Sequence, residues 1–507
     1  DVGDGILDIF DRYNFTVNEN EPLEKEVAVD PEMLGKVFEN ILDVKDRKSK
    51  GAFYTPREIV HYMCQESLIS YLGTETKNII AREDLELFIR KGDRIIENDK
   101  ITLEKIREKE SKVYEYKGDY ELLLPVSIRS GAAELDQLLK DIKVADPAVG
   151  SGAFPLGMIN EIVRARKVLN IYLDENLSDY QLKLHTISHS IYGVDIDLGA
   201  VEIAKLRLWL ALVVDEQTPH PLPNLDHKIM QGNSLISEYE GIQLFDESIF
   251  EKEKKGEMKQ MPLGFGKSSS ELKMEDFQKK IEQFVNESQK SKKQKLKEEI
   301  DNLKWEFIEA TLKEQGKLTK LEEIKKLRKK NTKPFFIWKL EFSDVFKVNG
   351  GFDVIIGNPP YVGEKGNKEI FRPIANGNLK EFYQGKMDLF YFFFHLGLNL
   401  LKEAGVMSFI TTNYYITATG ALKLRKDIQE RSSIIKLLNF GELKIFESAL
   451  GQHNMITMLV KGKKDLLAQT LVTRRRGYLG AKIIQSVIDG KDEETSYYIL
   501  PQNELYS

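Results

Sequence analysis

One cysteine, Cys64, in 507 residues rules out an intrachain disulfide and any cysteine-rich zinc site. So little cysteine suits a reducing compartment, and a cytoplasmic location is expected. Long apolar runs are also missing. The most aromatic stretch, 389–401, is broken by His395, Gly397 and Asn399, so no bilayer-spanning segment and no membrane partner are expected. No basic-then-apolar leader opens the chain. It starts at Asp1 and not at Met, which raises the expectation of a fragment of a longer protein. Proline is sparse at 15 residues; with 41% hydrophobic and 30% charged residues, this describes a globular chain with core enough for two or three domains. An excess of positive charge is absent too, the formal net charge being −6. That argues mildly against a nucleic-acid partner, because phosphate contacts need clustered Lys and Arg.

What is present is an alternation that begins part-way along. Residues 1–135 are expected to be a mainly helical N-terminal region. Leu34, Val37, Phe38 and Ile41 recur at helical spacing over 31–42. The basic stretch 45–50 follows, then Gly51-Ala52-Phe53-Tyr54-Thr55-Pro56, then an expected helix at 57–71. From Ile142 onward short β-branched runs alternate with helical segments, the mark of a parallel α/β sheet. Strands are expected at 143–146, 190–195, 228–231, 352–357, 406–411, 435–440 and 455–460, most of them ending in Gly, Asn, Asp or Thr. They divide a catalytic domain into a first part, 136–245, and a second part, 336–465. Between them, 246–335 is rich in Lys and Glu with apolar residues at Ile300, Leu303 and Phe307, and again at Leu321, Ile324 and Leu327. A charged helical insertion is expected there, projecting from the sheet as a hairpin, with a mobile loop at 261–270. The lysines of 325–330 suit either phosphate contact or, more simply, a solvated face. Residues 466–507, with Arg474-Arg475-Arg476 before Gly477, are expected to be a linker.

Three strand ends carry ligand chemistry. After Asp146 come Pro147, Ala148, Val149, Gly150, Ser151 and Gly152, then a helix. Gly150 and Gly152 permit a tight turn and close backbone approach. The helix start offers free N–H groups to an anion, and Asp146 can accept from an ammonium. An ammonium beside a carboxylate fits the methionine end of S-adenosylmethionine better than a pyrophosphate; the competing reading is a plain turn. Asp195, in Gly193-Val194-Asp195-Ile196-Asp197, stands where a ribose diol can donate to a carboxylate. A helix N-cap is the alternative, and Asp197 suits that role better. Asn233, in Gln231-Gly232-Asn233-Ser234, can meet the adenine edge of the cofactor.

The fourth strand end is the most informative. The buried run at 352–357 delivers Asn358-Pro359-Pro360-Tyr361, a turn that proline keeps out of helical geometry. An adenine amino nitrogen is a poor nucleophile because its lone pair is delocalised into the ring. Two acceptors, the Asn358 side-chain oxygen and the Pro359 carbonyl, can each take one N–H and favour the developing positive charge. Tyr361 can stack on the base and face the forming cation. The competing reading, a tight turn, weakens once three other ligand-like strand ends lie in register with this one.

This ordered set resembles the gamma-class adenine-N6 amino-methyltransferases of DNA, in particular those fused within type IIG restriction-modification enzymes. The resemblance covers roughly residues 30–460. It implies an α/β, Rossmann-like fold of the S-adenosylmethionine-dependent methyltransferase type, with a mixed seven-stranded sheet, the N-terminal helical region and the helical insertion. It implies a cofactor pocket lined by Tyr54, Thr55 and Pro56 beside Asp146, Ala148, Gly150, Gly152, Asp195, Ile196 and Asn233. Asn358, Pro359, Pro360 and Tyr361 are the implied catalytic residues, double-stranded DNA the implied partner and base flipping the implied access route. Phe446 matches a late aromatic that stacks on the extruded base, although a core phenylalanine is an equal reading. Three departures stand out: Asn233 where many relatives have an acid, the insertion, and no recognisable nuclease pattern in residues 1–140. A separate target-recognition domain and a nuclease domain are therefore expected to belong to the parent protein.

Rival functions remain at this stage. Methyltransferases of RNA adenine or of protein glutamine use similar loops, and a subunit that binds cofactor or DNA without turnover is the non-enzymatic alternative. Cytosine C5 methylation is excluded, because it needs a cysteine nucleophile and Cys64 lies far from any catalytic loop. N4-cytosine methylation shares the amine chemistry.

Overall fold

The computed structural model describes residues 55–110, 121–173, 177–213, 222–247, 269–287, 289–329, 334–446, 452–463, 466–478 and 480–506. The expected helix at 31–42, the basic stretch 45–50, Tyr54 with the rest of 51–54, and nearly all of the expected loop at 261–270 lie outside these residues. In chain order the elements are α1 (Arg57–Glu75), α2 (Arg82–Glu110), α3 (Val126–Ser130), α4 (Ala132–Asp141), β1 (Val144–Asp146), α5 (Ala153–Leu173), α6 (Asp179–His189), β2 (Ile191–Asp195), α7 (Leu198–Val213) and β3 (Ile229–Gln231). A small hairpin, β4 (Glu238–Tyr239) and β5 (Ile242–Gln243), precedes α8 (Ser269–Asn286), α9 (Lys290–Glu314), α10 (Leu318–Lys329), α11 (Trp338–Glu341) and α12 (Ser343–Val348). Then come β6 (Phe352–Gly357), α13 (Lys368–Ala375), α14 (Leu389–Leu400), β7 (Leu401–Thr412), α15 (Leu422–Arg431), β8 (Ser432–Asn439), β9 (Asn454–Lys461), β10 (Leu467–Thr473), α16 (Ala481–Ile488) and β11 (Thr495–Pro501).

The strands form one sheet in the order β11-β10-β8-β9-β7-β6-β1-β2-β3. β3, β2, β1, β6 and β7 run parallel, and β9 runs antiparallel between β7 and β8. These seven strands match the seven expected from the sequence, and they make a mixed, mostly parallel α/β sheet. β6 is buried at every position, as a central parallel strand covered on both faces must be. Pro56 stands at the N-cap of α1 with φ −55°, so the ring presets the helix entry. Helix α1 packs on α5, β6 and β7. Among the described residues no helix is long and apolar enough to cross a membrane.

Two expectations need correction. The supposed linker at 466–507 extends the sheet: β10 pairs parallel with β8, and β11 pairs antiparallel with β10. The Arg474–Arg476 triplet is pinned locally, with Arg475 on Asp492 at 2.8 Å and Arg476 on Glu442 at 3.1 Å. The insertion is not a projecting hairpin. Its three helices bury Phe277, Phe284, Ile300, Phe307, Leu312 and Ile324 in the main core, each such side chain worth roughly 1.5–3 kcal/mol on burial. Phe284 meets His227 at 4.8 Å and Phe307 meets Phe245 at 6.0 Å. Lys325 sits on Glu322 at 3.2 Å, in keeping with a solvated face.

A buried ionic cluster joins the N-terminal helices to the sheet. Glu66 on α1 is fully buried and meets Arg82 at 2.7 Å, Arg90, and Lys436 of β8 at 2.8 Å.

Candidate active site

β1 and β6 lie side by side although Lys143 and Asp353, hydrogen-bonded at their amino ends, are 210 positions apart. From β1 the chain steps outward to β2 and β3, and from β6 it steps the other way to β7. The carboxyl ends at such a reversal are where open α/β sheets hold ligands. A cavity of about 200 Å³ opens there, with Asp146, Asp195, Asn233 and Asn358 all in its lining. A larger cavity of about 920 Å³ lies against α1, α2 and the last strands, and its lining contains none of the expected site residues.

The glycine loop is held from both sides. Gly150 (φ +51°) and Gly152 (φ +84°) take left-handed conformations, and a Cβ on Gly152 would meet Ala204 of α7 at 3.0 Å. Gly152 therefore serves close loop–helix packing; Gly150 lines the cavity and Gly152 does not. The Gly150 N–H donates to Asp195 Oδ2 at 2.8 Å, and the Asp197 N–H donates to Asp195 Oδ1 at 2.9 Å. Burial still pushes the Asp195 carboxyl above its ordinary range, against those two donors. Asp197 caps α7 by accepting from the Ala200 N–H at 3.2 Å.

Asp146 is 1% exposed, and its Oδ1 accepts from the Ala148 N–H at 3.0 Å. Its Oδ2 is buried with no hydrogen-bond partner among the described residues. Burial raises this carboxyl well above the usual range, and the charge of Asp195 adds to the effect. A cationic donor is what such an oxygen lacks. Gly357 makes room for it, since a Cβ there would stand 2.6 Å from Asp146 Oδ1. Asn233 Oδ1 accepts from the Leu235 N–H at 3.2 Å, so the group it has to offer a ligand is its NH2. Ala148, Ile196 and Thr55 also line the cavity; Pro56 does not.

At the end of β6, Asn358 and Pro360 line the cavity, whereas Pro359 is buried outside the lining. Asn358 Nδ2 donates to Thr55 Oγ1 at 3.1 Å, and the Tyr361 hydroxyl is placed to donate to Asn358 Oδ1 at 2.6 Å or to the Ile410 carbonyl at 3.0 Å. The amide is thereby oriented. Tyr361 itself is buried, edge-on to Phe390 at 6.0 Å and to Phe446 at 6.4 Å. Phe446 is thus brought to the loop that carries Asn358, but as a buried ring behind Tyr361 and not as part of the cavity wall.

Sequence reasoning passed over the opposite wall. Ile370 and Ile374 of α13 and Leu389 and Phe393 of α14 line the cavity. The local signal there is Asp388 before an apolar run, an N-cap signature that marks where α14 starts but not which of its residues face the cavity.

Comparison with known proteins adds an independent line. Residues 189–446 match the family model of the Eco57I restriction-modification methylase. RM.MjaORFECS2P of Methanocaldococcus jannaschii, named as a candidate type II restriction enzyme and methyltransferase, is 30% identical over 510 residues, covering 91% of this chain and 40% of its own length. The type II methyltransferase M.HincII of Haemophilus influenzae is 32% identical over 114 residues, covering 22% of each chain. This chain therefore spans well under half the length of these relatives. Among solved structures, the type IIL restriction-modification enzyme MmeI in complex with DNA aligns with 93% of this chain and 43% of its own, at 12% identity and a TM-score of 0.43.

Proposed function

Because this chain belongs to the Eco57I restriction-modification methylase family, we propose that it transfers a methyl group from S-adenosylmethionine to the exocyclic N6 amine of adenine in double-stranded DNA. In this reading it is the modification part of a longer enzyme of the type IIG kind, whose target recognition and cleavage belong to other parts of the parent protein. The observation that carries the reading is one cavity with an unsatisfied buried carboxylate oxygen on Asp146 and an oriented amide acceptor on Asn358.

The residues present fit the cofactor. Asp146 Oδ2 takes its ammonium, and the start of α5 takes its carboxylate. Asp195 keeps lone pairs for the ribose diol, and the Asn233 NH2 addresses the adenine edge. Ile370, Ile374, Leu389 and Phe393 keep water away. When bound, S-adenosylmethionine supplies an electrophilic methyl group. The chain's own work is on the acceptor. The adenine leaves the duplex, one amine N–H meets Asn358 Oδ1, and the resemblance assigns the other to the carbonyl of Pro359, whose ring lies outside the cavity lining. Both contacts strengthen as the nitrogen becomes cationic, so they favour the transition state over the ground state. The proton then passes to water.

The direct test is transfer of labelled methyl to unmethylated DNA by the full-length protein, followed by digestion to nucleosides. Label in N6-methyladenine supports the reading. Label in N4-methylcytosine, in RNA or in protein moves the substrate, and no transfer from a bound cofactor sinks it. Asp195→Ala is expected to weaken S-adenosylmethionine binding by about 150-fold or more in calorimetry, the loss of two hydrogen bonds to a charged acceptor at about 1.5 kcal/mol or more each. Unchanged affinity would remove Asp195 from the site.

A further inference from the structure

The segment after Tyr361 is zipped to the chain just before α14. The Val362 N–H donates to Asp388 Oδ1 at 3.0 Å, and the Leu389 N–H donates to the Val362 carbonyl at 2.9 Å. One step on, the Glu364 N–H donates to the Met387 carbonyl at 2.9 Å, and the Met387 N–H donates to Glu364 Oε2 at 3.3 Å. Gly363 and Asp388 face each other as an antiparallel bridge. Asp388 is also the N-cap of α14, in extended geometry (φ −107°, ψ 150°), with its side chain accepting from the Phe390 N–H at 3.5 Å. A single carboxylate oxygen therefore joins the loop that carries Asn358 to the helix that contributes Leu389 and Phe393 to the cavity.

We propose that Asp388 is a positioning residue for methyl transfer: its carboxylate locks the catalytic loop to α14, and so fixes where Asn358 Oδ1 points relative to the bound cofactor. The inference rests on the proposed reaction and deepens it. Asp388 touches neither substrate nor cofactor; it acts through the Val362 backbone.

The lock depends on ionisation. Burial lifts the Asp388 carboxyl to about 6, against the pull of the Phe390, Val362 and Leu389 N–H groups. The titratable groups around it are Tyr361 and Tyr391, both pushed up by burial first and by its charge second, with Arg425 pulling Tyr391 down. Glu364 is on the same ladder, and Lys386 is at the surface two residues before. An ionised acceptor binds an N–H about twice as strongly as a neutral one, so the lock is firm above about pH 6 and slackens below it.

The test compares full-length wild-type protein with Asp388→Ala and Asp388→Asn. Three quantities are read: S-adenosylmethionine affinity, single-turnover methyl transfer to DNA between pH 5 and 8, and amide hydrogen exchange of the peptide spanning 358–364. Asp388→Ala is expected to lower transfer by about a hundredfold, the usual cost of misplacing a reacting group by about 1 Å. Affinity should stay within about threefold, and exchange at Val362 and Glu364 should rise. Asp388→Asn keeps a neutral oxygen acceptor and the cap, so at every pH it should hold about the rate that the wild type shows below about pH 6, above that of Asp388→Ala, with no acid limb of its own. Unchanged exchange in Asp388→Ala overturns the proposal. So does a rate loss matched by an equal loss of affinity, or an acid limb that persists in Asp388→Asn. If the wild-type protein transfers no methyl group, the reaction is what fails, and the exchange measurement decides the lock by itself.

Discussion

Asn358→Ala should bind S-adenosylmethionine within about threefold of wild type yet lose methyl transfer by about a thousandfold, the upper range for deleting one transition-state hydrogen-bond partner. The asymmetry follows from the contacts. Asn358 stands at the end of β6, while the groups assigned to the cofactor stand on β1, β2 and the loop after β3. Removing the amide leaves the Thr55 hydroxyl without one partner, but the Tyr361 hydroxyl keeps the Ile410 carbonyl at 3.0 Å, so the loop stays held. Asn358→Asp sharpens the test. It preserves an acceptor toward the amine and lets Thr55 donate in the reverse sense, so it should recover part of the rate. Single-turnover kinetics beside calorimetry separate the two effects. A near-wild-type rate for Asn358→Ala would remove Asn358 from the chemistry.

Glu66→Ala should be the most destabilising single change in the N-terminal helices, at about 3–5 kcal/mol, because it leaves cations buried beside one another. Burial alone would raise the Glu66 carboxyl, but Lys436, Arg82 and Arg90 overrule it and hold it at about 2, down from 4.5. The sign follows from linkage. A depressed carboxylate adds stability that is fully present above its unfolded value of 4.5 and is lost as pH falls toward about 2, here about 3 kcal/mol. Wild-type unfolding midpoints in urea should therefore drop between about pH 4.5 and 2, and those of Glu66→Ala should drop less. Lys436 is the costly member, since burial pushes its ammonium below the usual range, with Arg82 and Arg90 adding to the effect. Replacing Glu66 by Leu together with Lys436 by Met should return part of the lost stability. Equal midpoints for wild type and Glu66→Ala at pH 7 would show the cluster to be dispensable.

The seven expected strands were legible because each is a short apolar run, most of them closed by a Gly, Asn, Asp or Thr, and β6 reads as a strand buried on both faces. The site was legible where chemistry sits at those strand ends: Asp146, Asp195, Asn233 and Asn358 all meet in one cavity. Other features were not. That Thr55 would bond Asn358, 303 positions away, is a tertiary fact with no local pattern. Helix α14 is buried along almost its whole length, so its aromatic residues read as uniform core and nothing marks Leu389 and Phe393 as the pair facing the cavity. Gly152 looked like a ligand glycine because a positive φ and close approach to Ala204 demand the same residue as close approach to a ligand. The last two strands escaped because β11 buries neither face well: Tyr497, Tyr498 and Ile499 are each about half exposed, which blurs the alternation that reveals a strand.

The adjacency of β1 and β6 also has a meaning in time. A ribosome adds about 5–20 residues per second, so the 210 positions between Lys143 and Asp353 correspond to roughly 10–40 s of synthesis. Throughout that interval β1 is made and its central neighbour is not, while the three helices of the insertion emerge. The carboxylates of Asp146 and Asp195 therefore exist in the cell well before the wall that will enclose them. A nascent chain arrested short of β6 should carry an open-edged half-sheet, an obvious client for a chaperone at the exit tunnel, and it should become a binding protein only as the last of α14 clears the ribosome.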